Sequence, residues 1–168
     1  MNQPQPKKYR DYPSLVTGDV MEVLQAQAIT FPEFLSGLTH LADYAYAPGK
    51  WTLKEMSGHI IDTERILVYR LTAIARGEQV SLPGFDEDEY VAGAHFADRQ
   101  LSSFAEEFSS LRKANLYLFQ SLSSTELGRS GIASGKPITV ERLLYTIAGH
   151  LIHHIEIINE RYIGSDRR

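Results

Sequence analysis

Apolar residues recur at three- and four-residue spacing in four long stretches of this chain, and no stretch alternates apolar and polar residues as a half-buried strand would. The first runs from about Gly18 to Gly37, with Val20, Val23, Leu24, Phe34, Leu35 and Leu38 as candidate core positions. Pro32 falls inside it, so the stretch predicts either one kinked helix or two shorter ones. After a turn at Tyr46-Ala47-Pro48-Gly49-Lys50, the second opens on Thr52-Leu53-Lys54-Glu55. This is a capping box: the Thr52 side chain serves the Glu55 amide, and the Glu55 side chain reaches back to the Thr52 amide. Leu53, Met56, Ile60, Leu67, Leu71 and Ile74 then line one face before Gly77 ends the helix.

Between Gly77 and Ala97 no period is evident, and a connection that long in a small domain predicts a crossover carrying one short helix. Asp98 is the expected N-cap of the third helix, whose Leu101, Phe104, Phe108, Leu111, Leu118 and Leu122 form its apolar stripe. A polar loop follows through Gly128, Gly131 and Gly135-Lys136-Pro137. Thr139 caps the fourth helix, with Leu143, Leu144, Ile147, Leu151, Ile155, Ile158 and Tyr162 on its buried face. Four amphipathic helices and one long connection predict an all-α fold, a four-helix bundle with a long crossover connection.

At 168 residues the chain suits a single domain, here 13–168, behind a flexible N-terminal tail, 1–12. The tail is polar and proline-bearing with no apolar h-region, and no apolar run approaches the roughly 20 residues of a membrane span. A cytoplasmic protein that engages no membrane is therefore expected. The net charge of -4 argues against nonspecific nucleic-acid binding, which needs clustered Lys and Arg. Cysteine is absent, which excludes disulfides, thiolate ligands and a cysteine nucleophile.

The candidate chemistry lies in the histidines. His150 and His154 are one helical turn apart and share a face at the edge of the fourth helix's apolar stripe. His59 holds the equivalent marginal position on the second helix, with Thr63 and Arg70 on the same side. Two readings follow from that pattern. The histidines either pack at helix margins with ordinary hydrogen-bond partners, or converge as a three-nitrogen metal site with coordination positions left open. Neutral nitrogen ligands suit zinc, nickel, copper or iron. His153 points away from both helix partners and is expected at the rim or behind the ligands. Asp62 is a candidate to orient His59, against the simpler reading of a solvated carboxylate. Asp86-Glu87-Asp88-Glu89 reads as an exposed acidic patch or helix start. Trp51 and Tyr46 are expected to pack the turn into the bundle end, and Arg70 and Arg112 to make structural ion pairs. No G-x-S-x-G elbow or phosphate-binding loop occurs.

Trp51-Thr52-Leu53-Lys54-Glu55-Met56-Ser57-Gly58-His59-Ile60-Ile61-Asp62-Thr63-Glu64-Arg65 resembles the W-[ST]-x-x-E-x-x-x-H-x-x-D-x-E-R opening of the DinB-like (DinB/YfiT) family. His150 to His154 is similar to that family's H-x-x-x-H on the last helix, and the Leu82–Tyr90 region, Arg112 and the Thr139 helix start also match. The resemblance implies a four-helix bundle, often a homodimer, holding a divalent metal on His59, His150 and His154, zinc or nickel above others. Many members carry Glu just after the first histidine of the pair, where this chain has Leu151. The resemblance further implies a metal-dependent enzyme acting on a small molecule, activating either a low-molecular-weight thiol for S-transfer or a water for hydrolysis. The alternative is a non-catalytic metal-binding or stress-response dimeric bundle.

Overall fold

A computed structural model describes residues 11–164. Four long helices build the bundle: α1 (Val20–Ser36), α2 (Leu53–Ala75), α4 (Leu101–Ser121) and α6 (Val140–Ile157). The short α3 (Glu87–Gly93) and α5 (Ser124–Leu127) lie in the connections. Helix α1 packs chiefly on α4 and α2 on α6, with α2–α4 and α1–α6 faces closing the ring. Helices α1 and α2, and likewise α4 and α6, thus sit across the diagonal, while the long crossover joins the neighbouring α2 and α4. Among the described residues no helix is long and apolar enough to cross a membrane.

Three of the four long helices start where the sequence provides a side-chain cap. The Asp19 carboxylate accepts from the Met21 and Glu22 amides, Thr52 and Glu55 form the reciprocal box, and Thr139 accepts from the Arg142 amide. Helix α1 runs through Pro32 without a break. The proline removes the amide that would serve the Ala28 carbonyl, and Ser109 of α4 donates its hydroxyl there instead at 3.3 Å. Asp98 does not cap α4. It closes a 3-10 turn at Phe96–Asp98, and Gln100 occupies the cap position without a side-chain hydrogen bond. Asp86 caps α3, as its place ahead of an acidic first turn suggested.

The expected polar loop after α5 is instead a hairpin, β1 (Ser130–Ala133) paired antiparallel with β2 (Lys136–Thr139). Its two-residue turn, Ser134-Gly135, has φ of 51° and 73°, the double positive φ that suits the twist of a tight hairpin. The crossover docks on it: the Leu82 amide donates to the Ile132 carbonyl at 2.8 Å, and the Ser134 amide to the Leu82 carbonyl at 3.0 Å. Of the expected tail, 1–10 lie outside the described residues. Asp11 precedes a 3-10 turn, Tyr12–Leu15, that packs closely on α6.

The apolar interior forms two clusters. One holds Phe31, Leu35, Ile60, Phe104, Phe108, Leu151 and Tyr162; the other holds Leu24, Leu67, Leu71, Phe119, Leu144 and Ile147. Gln27 on α1, Glu64 on α2 and Arg112 on α4 are buried at the boundary between them. Arg112 of α4 forms a bidentate pair with Glu64 of α2 (2.8 and 2.9 Å) and donates to Gln27 Oε1 of α1 (2.6 Å). Gln27 in turn donates to the Ala148 carbonyl of α6 at 2.9 Å. One network therefore ties all four helices together at mid-height, two residues before His150 in α6.

Candidate metal centre

His59 is carried by α2, and His150 and His154 by α6, the two helices packed face to face. All three are buried, at 5–6% exposure. Their Nε2 atoms form a nearly regular triangle: His59 to His154 is 3.2 Å, His59 to His150 is 3.3 Å, and His150 to His154 is 3.0 Å. Three such atoms cannot all hydrogen-bond to one another. Each Nε2 carries either a proton or a lone pair, so any triangle of them contains at least one pair of like kind. An ion accepting three lone pairs removes that conflict. Tetrahedral coordination with metal–nitrogen bonds of about 2.0–2.1 Å spaces ligand nitrogens about 3.3 Å apart, close to the observed edges. The residues present therefore fit a divalent ion, with a fourth position left for a ligand from outside.

The electrostatics agree with a neutral imidazole at His150. Burial, reinforced by the neighbouring His59 and His153 rings and the Arg112 guanidinium, holds His150 well below the usual histidine range. A neutral ring is the form that ligates metal.

The supporting residues differ in part from expectation. The hydroxyl that meets His59 Nδ1 is that of Thr63, at 3.5 Å, one helical turn on. Asp62 instead bonds Arg65 at 3.1 Å. The Trp51 ring lies 4.7 Å from that of His59, so the tryptophan packs on the site as well as on the bundle end. His153 stays out of the triangle but is buried rather than at the rim, between Tyr12 and His154. Leu151 is 1% exposed in the apolar core. Arg112 makes the expected ion pair, and Arg70 donates to the Pro83 carbonyl (2.8 Å) and the Ser134 hydroxyl (3.0 Å).

His59 and His150 also line a cleft of about 820 Å³. Its floor continues along α2 through Thr63, Leu67 and Arg70 and along α6 through Thr146 and Leu143. Its walls are the Tyr12-Pro13 turn, the Phe85–Glu87 segment of the crossover and the hairpin. The open side of the histidine triangle thus has a chamber sized for a small molecule.

A family model described as the DinB superfamily matches residues 24–158, a span that includes all three histidines. The chain belongs to the DinB superfamily. Among solved structures this DinB protein is similar to YfiT from Bacillus subtilis, described as a probable metal-dependent hydrolase with an unusual four-helix bundle topology. The TM-score is 0.74 at 19% identity, with 97% of this chain and 94% of that chain covered, a likeness of fold. None of the curated proteins matches the chain.

Proposed function

We propose that this DinB protein is a metal-dependent enzyme that hydrolyses a small-molecule substrate, with His59, His150 and His154 as the ligands of one divalent ion, zinc or nickel. The observation that carries the reading is the Nε2 triangle opening on an 820 Å³ cleft. A structural metal site is usually closed by four protein ligands, and here three converge with a chamber on the fourth side. A bound ion there would supply Lewis acidity and acidify a water or an incoming thiol. The chain's own residues do the rest. Thr63 and Trp51 hold His59, and the Arg112 network fixes the helices that carry the ligands. S-transfer is the second reading, in which a small thiol takes the place of water; the chain has no cysteine, so that thiol would come as a cosubstrate.

The test is turnover of a panel of ester, amide and electrophilic substrates by zinc- and nickel-loaded protein, with and without small thiols, against His150→Ala. Metal-dependent turnover without thiol supports hydrolysis, and turnover only with thiol supports transfer. Loss of neither rate in His150→Ala contradicts both.

A further inference from the structure

We propose that Tyr12 is a positioning residue for His150, seated against it by a docking point at Gly149; the proposal rests on the reading of His150 as a ligand. The Tyr12 ring stands edge-on to the His150 imidazole, with centroids 5.3 Å apart and planes at 83°, and it also touches the His153 ring at 5.5 Å. That T-shaped arrangement is the favoured one for aromatic pairs. It acts on His150, one of the two ligands that line the cleft together with Tyr12.

Gly149 explains how the turn comes so close. Its backbone is helical, in the interior of α6, where glycine weakens a helix and any residue but proline would serve the conformation better. Space is what requires it. A Cβ at Gly149 would lie 1.9 Å from the Tyr12 carbonyl oxygen and 2.5 Å from the carbonyl carbon, backbone atoms with no rotamer to yield. The turn has a second anchor, since Arg142 of α6 bonds Asp11 at 2.9 Å. Two contacts on one helix, at residues 142 and 149, thus hold the turn in place, and its aromatic ring falls on residue 150.

A ligand imidazole must keep its nitrogen aimed at the common centre. Thr63 and Trp51 do this for His59. Tyr12 does it for His150, by packing its ring edge-on against the imidazole.

The experiment compares Tyr12→Leu, Tyr12→Phe and Gly149→Ala with the native chain by two readouts. One is the His150 ring resonance in metal-free protein, which an adjacent aromatic ring shifts. The other is Co²⁺ affinity, followed through fluorescence of the single tryptophan, Trp51, against the His59 ring. Tyr12→Leu is expected to move the His150 resonance and weaken cobalt binding about threefold to tenfold. Tyr12→Phe, which keeps the ring, is expected to restore both, and Gly149→Ala to reproduce the leucine variant. A Tyr12→Leu protein with the native resonance and native affinity overturns the proposal, even if Gly149→Ala fails to fold. If the native protein binds no cobalt, the ligand reading fails, and the positioning contact stands or falls on the resonance alone.

Discussion

Replacing Arg112 with Met tests whether the buried polar layer holds the four helices in register. Arg112 is fully buried and Glu64 is 4% exposed. The substitution removes both charged bonds to Glu64 and the bond to Gln27, leaving the carboxylate with the Asn115 amide at 3.0 Å. Breaking a buried pair from one side costs about 3–5 kcal/mol, because a charge is stranded in a medium that solvates it poorly. For a domain of this size that is a fall in Tm of about 6–20 °C. Removing both charges, in Arg112→Met with Glu64→Leu, eliminates the stranded carboxylate and is expected to recover most of the loss. Urea denaturation measures both, and an unchanged slope confirms that stability alone has moved. A single variant that loses less than about 1 kcal/mol, or a double variant no better than the single, refutes the reasoning.

The metal-free protein is expected to lose stability as pH falls below about 6.5. His150 stays neutral in the fold because burial opposes its charging, while the unfolded chain takes up a proton near its ordinary value of 6.5. The unfolded state then binds more protons, so stability rises with pH across that window and levels off above it. Thermal unfolding of the metal-free protein from pH 5 to 8 reads the slope, which His150→Asn is expected to reduce. Thr52→Ala removes the side-chain half of the α2 capping box and is expected to cost about 1 kcal/mol in denaturant midpoint; a neutral result means the box is not holding the start of the helix that carries His59.

Much of this arrangement was readable in the residues because it depends on local rules. The Thr52–Glu55 capping box, the stripe from Leu53 to Ile74 and the i, i+4 histidine pair follow from the geometry of one helix, and each appears where its spacing put it. What escaped depends on contacts between distant segments. The hairpin has strands of four residues, with Gly131 and Pro137 interrupting any alternation, and it gains a partner only when Leu82 docks beside it. Pro32 left a kink or a break open, and the choice was settled by a Ser109 hydroxyl on another helix. Tyr12 lies in a segment whose composition reads as tail, and its importance appears only in the space above Gly149. A glycine in the interior of an otherwise apolar helix, next to a candidate ligand, was the signal that could have found it.

The central claim is that three histidines from two facing helices hold one divalent ion. Cobalt titration of metal-free protein, with the native chain beside His59→Ala, His150→Ala and His154→Ala, tests it most directly. One ion per native chain is expected, with a loss of affinity greater than about 100-fold in each variant, beyond the roughly 10- to 100-fold expected for a merely supporting residue. Native stoichiometry and native affinity in all three variants would contradict it.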